Sequence, residues 1–343
     1  MATIREIARR ANVSVATVSN VINGGVRVSP KLRQRVEAAI KEMDYHPNYV
    51  ARSLKTNRTR LIGMVISDIT NPFFPQLVRG AEEVALTNNY LLITFNSDDR
   101  VDREKRILTV LRNRRVDGIL LVVAPQSGEP THIANVVRAG IPVVCVDRLP
   151  AGIPVDSVTV DNTGGARECI EHLLSLGHKR VAIVTGPCAL QTSRERLAGY
   201  KAALAAAGLP IDPSLIREGD FRVEGGYKLG RELLERPDRP TALFVSNNTM
   251  ALGLLKAVED LRLRCPEDIA IAIFDDLPFL FAFRPHLTAV SQPAYEIGQK
   301  AVELLLRRIE GREQSGEPVS IRLKTELKIR ESTVGEIKAW QTS

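Results

Sequence analysis

The sequence predicts a small all-α helix-turn-helix domain followed by an α/β body of doubly wound parallel sheets. Three observations predict this. Capped helical patterns crowd the first 60 residues. The same residues hold nearly all of the net charge. Beyond residue 60, short β-branched runs alternate with stretches of helix length.

The first 60 of the 343 residues carry 12 Lys+Arg against 4 Asp+Glu, and the other 283 carry 35 against 36. The formal charge of +7 therefore sits in the first sixth of the chain. Such an asymmetry points to a basic module for a polyanion joined to a neutral body. The opening Met-Ala-Thr-Ile-Arg-Glu has no apolar core of signal-peptide length. No run of about 18 apolar residues suggests a membrane span, so a cytoplasmic protein with no membrane partner is expected. Cys145, Cys169, Cys188 and Cys265 are scattered, as are the five histidines. Buried free thiols are expected rather than disulfides, and neither a metal nor a cofactor is implied.

Thr3 and Glu6 have the spacing of a capping box. Ile4, Ile7, Ala8 and Ala11 follow on one face. Ser14 caps a second helix after a very short turn, with Val18, Val21 and Ile22 facing inward. Asn23-Gly24-Gly25 ends it. Ser29-Pro30 opens a third helix, whose buried stripe is Leu32, Val36, Ile40 and Met43. A protein-binding bundle would share this pattern, but the local charge and the short turn favour a helix-turn-helix. Its second helix would then present Val15, Ala16 and Asn20 to base edges. Ser14, Thr17 and Asn23 are better suited to phosphates.

From Asn48 to Lys55 the pattern allows a two-turn helix too short to be stable alone. Arg52 and Lys55 flank the apolar Leu54. Local composition reads equally as a minor-groove wedge or as an ordinary linker.

Five segments occur in fixed order: Thr-Ile-Arg-Glu-Ile-Ala (Thr3 to Ala8), Val-Ser-x-x-Thr-Val-Ser (Val13 to Ser19), Val-Ile-Asn (Val21 to Asn23), Tyr-x-Pro-Asn (Tyr45 to Asn48) and Ala-Arg-Ser-Leu (Ala51 to Leu54). Together they resemble the lac repressor/purine repressor family of bacterial transcription factors. The resemblance implies a hinge helix that folds on palindromic operator DNA, pairs with its dimer mate and inserts Leu54 into the minor groove. The family's base-reading positions fall on Val15, Ala16 and Asn20.

In the body the strand-like runs are Leu61–Ile66, Leu91–Phe95, Gly118–Val123, Pro142–Val146, Val181–Thr185, Ala242–Val245 and Ile269–Phe274. Helical patterns between them include Val78–Leu86, Glu104–Arg112, Gly165–Ser175, Leu197–Ala207 and Gly226–Leu234. Parallel sheets of this kind bind ligands in the loops after their strands. Polar and aromatic residues collect there. Asp161 and Asn248 read as caps or turns, whereas the adjacent Phe73 and Phe74 are harder to place together in a core.

From about Leu61 to Arg330 the chain is similar to the periplasmic sugar-binding-protein fold (type I) that the repressor family shares. That likeness implies two lobes with three crossovers, near Asp161, Ser291 and Pro318, and a ligand in the cleft. The implied division is 1–46 for the DNA-binding domain and 47–60 for hinge and linker. The core is 61–331: one lobe at about 61–160 plus 292–318, the other at about 162–290 plus 319–331. A tail at 332–343 completes it. Within that fold, ribose-type receptors are the nearest likeness. It rests on Asn71, Phe73, Phe74, Asp147, Arg148, Arg196, Phe221, Asn247, Asp275 and Gln292. Aromatic rings would sandwich a sugar's C–H faces, while carboxylates and Arg forks meet its hydroxyls. The charged members, two Asp and two Arg, balance. A neutral monosaccharide such as a pentose therefore leads, ahead of a sugar acid and a purine. Two departures from the family are Asn248, where Asp is usual, and Ile273, where Gly is usual. A branched side chain at Ile273 could narrow the cleft.

A small-molecule-controlled, DNA-binding repressor acting as a homodimer is thus expected. A transport receptor lacks support in the basic N-terminal module. A kinase or dehydrogenase lacks a glycine-rich phosphate loop, so no enzyme activity is expected.

Overall fold

The short turn between the first two helices depends on capping. In the computed structural model, which describes residues 2–22, 28–45, 58–126, 128–276, 284–311 and 316–334, Thr3 caps the helix Ile4–Arg10. Its hydroxyl accepts from Glu6 N, and Glu6 Oε2 accepts from Thr3 N at 2.7 Å. Asn12 takes a left-handed conformation (φ 51°), and Ser14 Oγ accepts from Thr17 N at 3.1 Å to start the helix Val15–Ile22. Arg35, from the helix Pro30–Glu42, donates to the carbonyls of Ala11 and Asn12 and ties down the turn. Ser29 precedes Pro30 as expected, but its hydroxyl makes no capping bond. Ile7, Ala8, Ala11, Val18, Val21, Val36 and Ala39 form the core of this unit, Met1–Thr59. Of the expected stripe only Val36 is fully buried; Leu32, Ile40 and Met43 are partly buried, and Ala39 joins Val36 in the core.

The second unit, Arg60–Ser343, holds two six-stranded sheets. Its strands are β1 (Leu61–Ile66), β2 (Leu91–Asn96), β3 (Gly118–Leu121), β4 (Val143–Val146), β5 (Asp156–Val160), β6 (Val181–Thr185), β7 (Ile216–Glu218), β8 (Ala242–Val245), β9 (Ala270–Phe274), β10 (Thr288–Ser291), β11 (Ser320–Leu323) and β12 (Glu326–Lys328). The first sheet runs β11-β5-β4-β3-β1-β2, all parallel. The second runs β12-β10-β9-β8-β6-β7 and is parallel except for β12. Central strands such as β4 and β9 are buried along their whole length, as sheets covered on both faces require.

The chain crosses between lobes after β5, after β10 and between β11 and β12. The third crossing corrects the expectation of Pro318. Residues 320–323 first add β11 to the edge of the first sheet, pairing Ile321 with Val158 and Leu323 with Val160. Only then does the chain enter the second lobe. Asp156 anchors this return, accepting from both forks of Arg308 at 2.7 and 2.8 Å and from Val319 N at 2.8 Å.

Helices Phe73–Thr87 and Ala294–Ile309 cover the first sheet together. They approach closely at glycines. A Cβ on Gly298 would stand 2.0 Å from the Leu77 carbonyl oxygen. Because the obstacle is backbone, Gly298→Ala is expected to destabilise the core by about 1–3 kcal/mol or more. Urea unfolding of the two proteins measures this, and equal midpoints would contradict the close approach.

All four thiols are free; Cys145 and Cys169 are buried, while Cys188 and Cys265 are partly exposed. No helix among the described residues is long and apolar enough to cross a membrane. Nor do those residues hold a group of three or more His, Cys, Asp or Glu placed for a metal.

Candidate ligand cleft and nucleic-acid interface

Loops at the carboxyl ends of both sheets enclose one cavity between the lobes. All ten residues singled out from sequence line it: Asn71, Phe73, Phe74, Asp147, Arg148, Arg196, Phe221, Asn247, Asp275 and Gln292. Ser67, Asp68, Asp99 and Thr192 line it too.

The aromatic wall is set by the start of the helix Phe73–Thr87. Asn71 Oδ1 accepts from Phe73 N at 3.0 Å, which fixes the turn. The Phe73 and Phe74 rings meet edge to face, 5.1 Å apart at 80°. Both rings belong to the core as well as to the cavity wall. Both rings thus pack in one core, contrary to expectation, because perpendicular rings can fill it and still line the cavity.

Three site residues, Asp147 (φ 64°), Phe221 (φ 62°) and Asp275 (φ 70°), hold left-handed backbones. Each costs about 1–3 kcal/mol unless compensated, and such strain gathers at binding sites. The left-handed turn at Phe221 lays its ring against Gly186, where a Cβ would come within 2.1 Å of the ring, and 5.7 Å below the Arg148 guanidinium.

The charged groups form two clusters. Arg148 Nη1 donates to Asp99 Oδ1 at 2.5 Å and to the Val123 carbonyl at 3.3 Å, while its Nε lies 3.4 Å from Asp147 Oδ2. Arg196 lies 3.7 Å over the Phe274 ring. It donates to the Ser246 carbonyl at 2.5 Å and to Asn162 Oδ1 at 2.9 Å, and stands 3.8 Å from Asp275. Gln292 Nε2 donates to Asp275 Oδ1. Burial pushes the Asp147 carboxyl up to about 6 against the pull of Arg148 and Arg196. Burial also raises Asp275, against Arg196 and the Gln292 hydrogen bond. Burial lowers Arg196, although Asp275 and Asp147 oppose it. For Arg148, burial is outweighed by Asp99 and Asp147, and its pKa rises. Asp147 Oδ1 and Gln292 Oε1 are buried with no protein partner, acceptors left for something else.

Two expectations change places. Asn247 caps the helix Asn248–Asp260, its Oδ1 accepting from Met250 N at 2.9 Å, while also lining the cavity. Asn248, expected as a cap, instead donates across the cleft to Asn71 Oδ1 at 3.1 Å. Asp161 does cap its helix, accepting from Gly164 N. Ile273 does not narrow the cleft, because its side chain packs wholly into the core of the second lobe. The expected charge balance also fails. Asp68 and Asp99 bring the lining to four carboxylates against Arg148 and Arg196. Both lie in polar runs directly after a strand, Ser67-Asp68 after β1 and Ser97-Asp98-Asp99 after β2. Asp147 holds the same position after β4. Arg222 was also missed; it joins the lobes at the rim, 3.0 Å from Asp68 Oδ2 and 3.2 Å from the Asp98 carbonyl.

In the N-terminal unit, Ser14, Val15, Ala16 and Asn20 are exposed on or beside the second helix, and Thr17 is half-buried. The Ser14 and Thr17 hydroxyls lie 2.9 Å apart and serve the cap. Asn23, Arg52, Leu54 and Lys55 lie outside the described residues.

Residues 3–48 match the family described as bacterial regulatory proteins, lacI family, and residues 170–333 match the periplasmic binding protein-like domain. The ribose operon repressor of Escherichia coli (strain K12) is 39% identical over 309 residues, covering 90% of this chain and 93% of that one. The chain belongs to the lacI family of bacterial regulatory proteins. As a member it is a DNA-binding transcriptional regulator, and its N-terminal helices make up the family's helix-turn-helix domain. Among solved structures, the lac repressor dimer bound to operator and the anti-inducer ONPF has a TM-score of 0.85 at 30% identity, covering 97% of this chain and 99% of that one. A LacI family regulator from Enterococcus faecium with bound ribose has a TM-score of 0.71 at 31% identity, covering 80% and 99%.

Proposed function

We propose that the protein is a cytoplasmic repressor that acts as a homodimer on palindromic operator DNA. A neutral monosaccharide of pentose type, held between the lobes, controls it, and no catalysis is involved. One observation carries the effector reading. Ten residues from seven separate segments line one cavity, in which Asp147 Oδ1 and Gln292 Oε1 are free to accept hydroxyl protons. Phe73, Phe74 and Phe221 supply flat apolar surfaces for the ring. The ribose bound to the Enterococcus faecium regulator supports the same class. The test is a thermal-shift screen against pentoses, hexoses, sugar acids and purines. A pentose at 100 times its Kd is expected to stabilise by about 2.7 kcal/mol. A shift with a purine alone would replace this reading.

The edge strand β2 exposes Leu91 and Ile93, and Leu86 is exposed on the helix Phe73–Thr87. A free sheet edge with apolar side chains suits pairing with a second copy. On the DNA side, Val15 and Ala16 offer only apolar contacts, so Asn20 carries the hydrogen-bonded base reading. Asn20→Ala is expected to weaken operator binding by about 5- to 150-fold, from ~1–3 kcal/mol per base contact, and to leave non-specific binding nearly unchanged. Leu54→Ala should likewise cost specific more than non-specific binding, because a wedge acts only where the step can be opened. Fluorescence anisotropy with operator and random duplexes measures both, and equal losses on the two DNAs would contradict these roles.

A further inference from the structure

We propose that Asp99 is a specificity-determining residue that bars anionic sugars, such as aldonic and uronic acids, from the cleft. The inference rests on the reading of the cavity as a sugar site and adds to it which sugars are refused.

Asp99 is aimed deliberately. It follows β2 in a turn where Asp98 (φ 57°) and Asp99 (φ 56°) are both left-handed. Asn96 Nδ2 holds Asp98 Oδ1 at 2.8 Å, and Arg103 holds its other oxygen. Two successive strained residues kept in place by side chains indicate a position that the fold over-determines. The result is the 2.5 Å contact between Asp99 Oδ1 and Arg148 Nη1 at the cavity wall.

That contact decides what Arg148 can offer. A site for a carboxylate or phosphate keeps a guanidinium with its charge uncompensated, so that the ligand supplies the counter-ion. Arg148 already faces two carboxylates, Asp99 and Asp147. Arg196 faces Asp275 and commits two of its donors to Ser246 and Asn162. Asp68 adds a fourth carboxylate to the lining, met at the rim by Arg222. Hydroxyl groups, which donate to carboxylates and accept from guanidinium, fit every one of these groups. An added anionic group would meet a carboxylate excess in a buried space, where like charges are strongly disfavoured.

The test is calorimetric titration of the full chain with matched pairs: D-ribose with D-ribonate, and D-galactose with D-galacturonate. Wild type is expected to bind its neutral sugar at least ~100-fold more tightly than the matched acid. Asp99→Asn, isosteric and tolerant of the left-handed turn, should narrow that ratio at least ~10-fold, mainly by admitting the acid. Asp102→Asn, an exposed acid three residues on, should leave the ratio unchanged. Asp99→Ser removes the same charge and serves if the first variant fails to fold. A wild type that binds the acid as tightly as the sugar, an unchanged ratio in a folded Asp99 variant, or an equal shift with Asp102→Asn would each overturn the inference while leaving the sugar site standing. Failure of wild type to bind any neutral sugar would overturn the sugar reading, and this inference with it.

Discussion

Replacing Asp147 with asparagine is expected to stabilise the protein and, at the same time, to weaken its effector about 10- to 150-fold. The second figure follows from the ~1.5–3 kcal/mol of a hydrogen bond to a charged group. The stability gain comes from linkage. The folded carboxyl titrates at about 6, above the ordinary 3.8, because it is buried. A group with a raised folded pKa holds its proton more tightly in the native state. It therefore disfavours folding progressively as pH rises from about 4 to about 6, and fully above that. At ~1.4 kcal/mol per unit the penalty is on the order of 2–3 kcal/mol at neutral pH. Asparagine removes it, accepts the left-handed backbone, and leaves Arg148 its contact with Asp99. Thermal melts at pH 7.5 and pH 4 should show the variant more stable at the first and level with wild type at the second. Wild-type effector affinity should fall as pH drops through about 6, since the hydroxyls donate to the ionised form. A variant less stable than wild type at pH 7.5 would show that the Arg148 pairing outweighs burial.

Arg196→Ala is expected to fail differently, losing both effector binding and about 3–5 kcal/mol of stability. The guanidinium is almost fully buried and joins Asn162, the Ser246 carbonyl, the Phe274 ring and Asp275. Removing it strands a buried carboxylate and opens a void over Phe274. Arg196→Lys keeps the charge but not the planar fork, so it should recover only part of either property. Urea unfolding alongside calorimetry measures both, and a variant of unchanged stability would reduce Arg196 to a ligand contact.

These two residues show what the sequence revealed and what it hid. Asp147, which directly follows β4, and Arg196, which lies inside the helix Gln191–Ala206, were legible as site members through the likeness to ribose-type receptors. Their energetic roles were not, since burial and left-handed geometry depend on neighbours far along the chain. Asp99 was legible in principle and missed, because an acidic run after β2 looks like a solvated turn until Arg148 is seen against it. Asn247 and Asn248 are adjacent amides; which one caps the helix and which reaches Asn71 depends on backbone direction alone. Ile273 looked like an obstruction because its strand ends at the cleft, but strand alternation turns it into the core. β11 was missed although Val319, Ile321 and Leu323 alternate with Ser320, Arg322 and Lys324, the pattern of a short half-buried strand that pairing with β5 completes. The helix-turn-helix was the clearest part, because caps and helical periodicity are local.

Operator affinity with and without effector, for wild type and Asp147→Asn, shows whether the cleft governs DNA binding. An operator duplex selected from a randomised pool and followed by fluorescence anisotropy suffices. Saturating sugar should change wild-type affinity about 5- to 150-fold, a coupling of ~1–3 kcal/mol, and Asp147→Asn should need an about 10- to 150-fold higher sugar concentration for the same change. Wild-type affinity that no sugar alters, or an unshifted sugar dose-response in Asp147→Asn, would contradict this.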